Sequence, residues 1–249
     1  MTRILMPLPC SDFDPTESAV PWSILTNLGH TVIFATPEGV PASADPVMVT
    51  GKGLGLMAPL LMADANGLNA YAKMVQCPAF IKPIGYADIT EKSFDALLLP
   101  GGHAPGMKVY LESPVLQARV AEFFASKKPI AAICHGVLLA ARSRNAAGVS
   151  VLRGRKTTGL THMLELSGWA LTCLWMGNYY RTYPQTLQAE VQGVLADGRD
   201  FLPGPLALKR DRSDNLQPGF CVRDENFLSA RWPGDSHRFA TEFAEMLSE

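Results

Sequence analysis

The feature that most constrains this chain is an apolar run that ends abruptly in a cysteine. Residues 129–133 (PIAAI) lead into Cys134, His135 and Gly136, and the helix-like segment 137–142 (VLLAAR) follows. This order predicts a strand, a sharp turn and a helix. Cys134 would then project beside a helix N-terminus, which favours a thiolate. We expect a nucleophile elbow with cysteine in place of serine; the alternative is an inert cysteine buried at the end of a core strand.

The first half of the chain repeats this alternation of strand and helix. Strands are predicted over 3–8, 31–35 and 94–99, and helices over 14–28 and from Ser113 to about Ala125. Such alternation, with switches at glycines, is typical of an α/β protein with a parallel sheet. We therefore predict a flavodoxin-like three-layer sandwich, with a mostly parallel sheet and helices on both faces.

Two regions depart from the simple alternation. Residues 37–91 contain a helix-like segment at 57–75, and we interpret them as an elaboration at the sheet edge, serving as a lid or a dimer surface within a single domain over 1–249. The second half is predicted to contain short strands at 149–152, 156–160, 190–195, 220–222 and 226–230, and helices at 161–173 and 235–247.

Composition excludes several classes of protein. The net charge is −1 and no basic run occurs, which argues against a nucleic-acid partner. No apolar stretch is long enough for a membrane span. The five cysteines are odd in number and widely spaced, so neither a disulfide framework nor a metal site is indicated. We expect a cytoplasmic protein with reduced thiols, no signal peptide and no membrane association.

Four residues are candidates for a catalytic site at the carboxyl edge of the sheet. Cys134 would be the nucleophile, and His135 is the nearest proton carrier. Gly102, in the loop after the strand that ends at Leu99, would offer a backbone N–H to an oxyanion together with that of His135. Glu17 lies in the first turn of the first helix, where its spacing favours simple helix capping over general acid–base catalysis.

Several of these motifs resemble those of one known family. LLLPGGH (97–103), AAICHG (131–136), DPTES (14–18) and the closing segment 228–247 are similar to the ThiJ/PfpI superfamily, within the class I glutamine amidotransferase-like fold. The resemblance implies that Cys134 is a reactive cysteine on a strained backbone and that Glu17 is its acidic partner. It also implies backbone donors at Gly102 and His135, and a homodimer.

Histidine directly after the cysteine resembles the branch of that superfamily with heat-shock chaperones and glutathione-independent glyoxalases. This implies conversion of methylglyoxal to lactate, with a small carbonyl compound as substrate and no cofactor or metal. Two alternatives remain: a cysteine hydrolase of amides or peptides, with Glu165 or His162 completing a triad, and a non-enzymatic chaperone or redox sensor. The aromatic residues Trp175, Tyr179, Tyr180 and Tyr183 are interpreted as packing residues, a pocket wall or a partner surface.

Overall fold

The computed structural model describes all 249 residues of the chain. The strands are β1 (Arg3–Pro7), β2 (Thr31–Thr36), β3 (Ile84–Gly85), β4 (Ala96–Leu99), β5 (Ile130–Ile133), β6 (Cys221–Asp224) and β7 (Phe227–Ala230). The α-helices are α1 (Pro15–Asn27), α2 (Pro46–Thr50), α3 (Ala58–Leu61), α4 (Ala65–Met74), α5 (Pro78–Ile81), α6 (Lys108–Leu111), α7 (Pro114–Ser126), α8 (His135–Arg142), α9 (His162–Ala170), α10 (Cys173–Met176), α11 (Leu187–Val194) and α12 (Ser236–Met246).

All seven strands belong to one sheet, in the order β3-β2-β1-β4-β5-β7-β6. Every neighbouring pair is parallel except β6 with β7. The chain runs from β1 to β2 on one side and later returns to β4 on the other, so the strand order reverses beside β1. In open α/β sheets, ligands bind at such a reversal, outside the carboxyl ends of the strands.

Helices cover the sheet in two groups. Helix α1 packs against α4 and α12, while α8 packs against α7 and α11. A single cluster of buried apolar residues runs from Ile4 to Met246, so both ends of the chain contribute to one core. The predicted α/β sandwich is therefore confirmed. No helix combines the length and the apolar character needed to cross a membrane.

The segment that leads into the site is well specified by its sequence. β1 is buried from Ile4 onward, and the Asp14 carboxylate then caps α1 by accepting hydrogen bonds from the N–H groups of Thr16 and Glu17. Pro15 occupies the first helical position, where a missing N–H has no cost. Gly29, with φ +87°, ends the helix as predicted.

Three predicted strands in the less regular regions are wrong, and one predicted helix is divided. Residues 190–195 are not a strand, because they belong mainly to α11, which begins at a Thr186 cap and packs on α8. Residues 149–152 and 156–160 form turns with isolated bridges only. The helix predicted over 57–75 is divided into α3 and α4, and the same elaboration adds β3 to the sheet edge.

Candidate active site

Cys134 occupies the turn between β5 and α8, with φ +54° and ψ −124°. A non-glycine residue in this region of backbone space is strained, and such strain persists where the surroundings fix it. The next turn fixes it here, since a Cβ on Gly136 would lie 2.0 Å from the carbonyl oxygen of Leu99. The close approach of α8 to the end of β4 therefore requires glycine at 136 and holds the thiol at the sheet edge.

Glu17 lies in the first turn of α1 with its side chain fully buried. Its Oε2 accepts a hydrogen bond of 3.0 Å from the N–H of Gly101, and its Oε1 has no partner in hydrogen-bond geometry. Burial, and then the charge of Asp14, raise the pKa of Glu17 well above its usual value, while interaction with the Cys134 thiol opposes that shift. Glu17 is thus a buried carboxyl group whose pKa is influenced by the neighbouring thiol, and it does not complete a capping box.

The pKa of Cys134 differs from the sequence-based expectation. The residue is 1% exposed, and burial followed by the charges of Glu17 and Asp14 raises the pKa of the thiol well above its usual value. A hydrogen bond from the N–H of His135 opposes this shift and is outweighed. Since a charge on Glu17 disfavours a charge on sulfur, the thiolate forms most readily while Glu17 keeps its proton.

His135 lies directly against the thiol, with 3.5 Å between Nδ1 and the sulfur of Cys134. Burial lowers the pKa of His135 well below its usual value, so its ring is neutral near pH 7. No carboxylate hydrogen-bonds to this ring. Glu165 instead accepts from the N–H of Leu187 at 2.8 Å, and His162 Nδ1 pairs with a threonine hydroxyl. Neither Glu165 nor His162 therefore completes a triad.

Gly102 follows β4 and adopts φ +145°, a conformation that side chains disfavour. A Cβ at this position would lie 2.8 Å from the carbonyl oxygen of Asp12 and 2.9 Å from the N–H nitrogen of Asp14. The N–H of Gly102 makes no hydrogen bond within the chain. The structure therefore brings Gly102 to the same sheet edge as Cys134 and leaves its N–H available to an oxyanion.

A cavity of about 360 Å³ opens above the thiol. Of the four predicted site residues, only Cys134 lines it, and most of the other lining residues are apolar. The elaboration at 37–91 supplies one wall through Met48 and residues 59–61, and α9 supplies another. Tyr180 is the member of the aromatic segment that reaches the cavity, where its ring packs at 4.4 Å from that of His103.

His103, Cys134 and His135 could hold a metal ion. One ligand atom from each lies within 4.8 Å of the others. A thiolate and two imidazoles are ligands that suit zinc or another soft divalent cation. Burial lowers the pKa of His103 to about 4, so its ring is neutral and free to bind a cation near pH 7.

Three residues of this site are not found by sequence reasoning. In the sequence, His103 is only the last residue of the motif at 97–103 and Asp14 only the first residue of a predicted helix. Arg210 belongs to no predicted element. Asp14 lies next to Glu17, and its own pKa is raised to about 6 by burial. Arg210 comes from an irregular loop, and its Nη2 donates to the carbonyl oxygen of Met62 at 2.8 Å. No local pattern marks such a long-range contact.

The elbow, the buried carboxyl group and the strand order together define a class of α/β proteins with a cysteine at the sheet edge. A family model described as ThiJ/PfpI family-like matches residues 8–193, and the chain belongs to this family. The expected family is therefore confirmed.

Individual relatives agree with this assignment. A Pyrococcus abyssi protein named as a deglycase is 38% identical over 248 residues, covering 98% of this chain and 99% of that protein. The deglycase PfpI of Pyrococcus furiosus is 25% identical over 96% of each chain. Protein DJ-1 homolog D of Arabidopsis thaliana is 35% identical over 150 residues, and the match spans only 33% of that longer protein.

Solved structures share the fold across the whole chain. Glyoxalase III from Candida albicans superposes with a TM-score of 0.68 at 16% identity, covering 98% of this chain and 97% of that one. The Rapid Encystment Protein 24 kDa of Francisella tularensis gives a TM-score of 0.70 at 17% identity, covering 99% of each chain. At these identities the likeness establishes the fold alone.

Proposed function

We propose that this protein is a cysteine-dependent enzyme that converts small 2-oxoaldehydes, such as methylglyoxal, into 2-hydroxy acids. The observation that carries this proposal is the buried pair of Cys134 and Glu17 with no carboxylate behind His135. A general base for amide hydrolysis is normally oriented by a third group, as in Ser-His-Asp and Cys-His-Asn sites. A thiol paired with a protonated carboxyl group is better suited to adding to an aldehyde and moving a proton.

The reaction needs no external oxidant or reductant. The thiol of Cys134 gives its proton to neutral His135, and its sulfur forms a bond to the aldehyde carbon. The carbonyl π bond breaks, and its oxygen takes a proton from Glu17 or from the newly protonated His135. A proton then leaves the former aldehyde carbon and is returned to the neighbouring carbon through an enediol, so one carbon is oxidised and the other reduced. Water finally cleaves the carbon–sulfur bond, releasing the 2-hydroxy acid and regenerating the thiol.

The backbone supports this sequence of steps at two points. The free N–H of Gly102 and the N–H of His135 can donate to the oxygen that becomes negative during addition. Neutral His135 can accept a proton because its ring is uncharged near pH 7. Glu17, with its pKa raised, can both donate and accept a proton in the same pH range, as the two transfers require.

A second candidate substrate is the adduct of the same aldehyde with an amine. Relatives that cover nearly the whole chain are named deglycases, which favours release of a 2-oxoaldehyde from such adducts. The same thiol would attack the same carbon after the amine leaves. Free aldehyde and amine adduct would then share one site and give one hydroxy acid.

The test is to follow methylglyoxal by proton NMR without glutathione, and in parallel to follow chromogenic amides. The proposal expects lactate to accumulate and the amides to stay intact. Amide cleavage that depends on Cys134, without lactate formation, would replace this function with a cysteine hydrolase. Conversion of Cys134 to a sulfinate by mild peroxide, with neither reaction observed, would favour a redox sensor.

A further inference from the structure

The cavity above Cys134 is larger than a three-carbon aldehyde requires, and its walls carry more apolar and hydrogen-bonding groups than such a small ligand can contact. Its volume of about 360 Å³ equals about twelve water volumes at ~30 Å³ each. Methylglyoxal has five heavy atoms and would leave much of this space to water. Cavities of this size are typical of ligands with an apolar body and a few precisely placed polar contacts.

The walls of the cavity are mainly aliphatic. Leu60, Leu61, Leu164, Leu171 and Leu208 line it, and they come from three separate parts of the chain. Apolar walls gain little from a small hydrated aldehyde but would bury an alkyl chain favourably. Such walls suit a ligand with an apolar body.

Two lining residues carry buried hydrogen-bond donors without acceptors. Arg210 Nη1 and Trp232 Nε1 are both inaccessible to solvent and make no hydrogen bond. The guanidinium lies 5.9 Å from the centre of the Trp232 ring, so the two residues occupy the same region of the wall. Buried polar groups are nearly always paired, and an exception at a cavity indicates a missing ligand or water.

The chemistry of these donors defines what they would bind. Arginine and tryptophan can only donate, and arginine is always charged. The other guanidinium nitrogen, Nη2, already donates to carbonyl oxygens of Leu60 and Met62, which fixes the group in place. An anion with two oxygens, such as a carboxylate, offers the acceptors that these two donors lack.

We propose that the cavity binds a ligand with an apolar chain that ends in a carboxylate, held by Arg210 and Trp232. Resting on the proposed function, the preferred substrate is then a 2-oxoaldehyde at one end of an alkyl chain with a carboxylate at the other. Its product would be a dicarboxylic 2-hydroxy acid, formed by the same balanced steps.

Ligand binding can be measured without turnover, and it therefore tests the proposed carboxylate site independently of catalysis. Octanoate and 1-octanol are titrated into the wild-type protein and into Arg210→Gln by calorimetry. We expect octanoate to bind the wild type and to lose at least about tenfold in affinity in Arg210→Gln, and octanol binding to change little. Arg212→Gln is the matched control, because Arg212 is 67% exposed and lies two residues away; its octanoate affinity stays at the wild-type value.

A second variant and a turnover measurement make the result decisive. Arg210→Lys keeps a cation and is expected to retain part of the octanoate affinity, which a misfolded protein would not. In turnover, 7,8-dioxooctanoate is expected to exceed methylglyoxal in kcat/KM by at least tenfold, and this advantage disappears in Arg210→Gln.

The two proposals fail in different ways. Octanoate that does not bind, or binds equally to wild type and Arg210→Gln, overturns the carboxylate site while leaving methylglyoxal turnover as it is. Octanoate binding that depends on Arg210, with no 2-oxoaldehyde consumed, supports the site and overturns the proposed function.

Discussion

The thiol of Cys134 shares its buried environment with the carboxyl group of Glu17, and a negative charge on Glu17 raises the pKa of that thiol. Burial raises the pKa of both groups, so two charges cannot form there together at moderate cost. Ionisation of one group therefore disfavours ionisation of the other. In the proposed reaction, this arrangement would place an acid directly beside the nucleophile.

Replacing Glu17 with glutamine should separate the two roles of this residue. The amide cannot carry the charge that disfavours the thiolate, so the pKa of Cys134 should fall and iodoacetamide should modify the thiol at least as fast as in the wild type. The amide also cannot transfer a proton, so lactate formation should fall by about 10²–10⁴-fold. Alkylation rates and turnover are measured on the same preparation.

The control for that variant is Glu122→Gln, because Glu122 is exposed on α7, pairs with Arg119 and does not line the cavity. Its alkylation rate and its turnover should match those of the wild type. Slower alkylation together with lost turnover in Glu17→Gln would show that Glu17 promotes the thiolate, contrary to this account.

Asp14 gives the stability a specific pH dependence. Its pKa rises from 3.8 to about 6 on folding, mainly through burial, so the folded protein holds this proton more tightly than the unfolded chain. Stability from this residue is complete below pH 4 and is lost as pH rises through 6, amounting to about 3 kcal/mol. Asn caps helices as well as Asp, so Asp14→Asn should gain stability relative to wild type over that range.

Urea unfolding of both proteins between pH 4 and pH 7.5 measures the effect. As pH rises, the unfolding free energy of Asp14→Asn should increase relative to that of the wild type. A difference that is constant across this range would mean that Asp14 keeps an ordinary pKa in the folded protein.

Gly136 should tolerate no side chain. A Cβ there would lie 2.0 Å from a backbone oxygen, which only movement of α8 or β4 could relieve. We expect Gly136→Ala to lower the unfolding free energy by at least about 2 kcal/mol. Gly193→Ala is the matched control, because a Cβ added there would meet nothing within 4 Å and helix α11 would gain about 0.5–1 kcal/mol. Equal stability of the two variants would contradict the close approach.

Zinc should inhibit lactate formation reversibly. His103, Cys134 and His135 can coordinate one ion. The sulfur of Cys134 would then be bound to the metal and could not add to the aldehyde. Inhibition should be relieved by EDTA and should weaken at least about tenfold in His103→Asn, which removes one ligand. Inhibition of equal potency in wild type and His103→Asn would exclude this three-ligand site.

The sequence predicts the central part of the fold because its local signals agree with one another. The Asp14 cap and Pro15 specify the turn that carries Glu17, and the glycines that follow β4 and Cys134 specify the turns that carry Gly102 and Cys134. Short buried strands of a parallel sheet are apolar throughout, which makes β4 and β5 recognisable. Together these elements place the predicted residues at one sheet edge.

The remaining features depend on contacts between distant residues. Residues 190–195 contain Val191 and Val194, which favour a strand, yet packing on α8 and an ion pair from Glu190 to Arg142 stabilise a helix. Arg210 joins the cavity through contacts about 150 positions back in the sequence. The pKa of Cys134 is raised by burial and lowered by the backbone N–H at the helix terminus. Which effect is larger depends on groups that only the folded chain brings around the thiol.

The most direct test of the central claim is lactate formation from methylglyoxal by the wild type and by Cys134→Ala, in buffer with neither glutathione nor added metal. Cys221→Ala serves as the matched control, since Cys221 is a free cysteine of β6 outside the cavity. We expect Cys134→Ala to lose at least about a thousandfold in rate while Cys221→Ala keeps wild-type activity. Equal lactate formation by a folded Cys134→Ala protein would contradict this expectation.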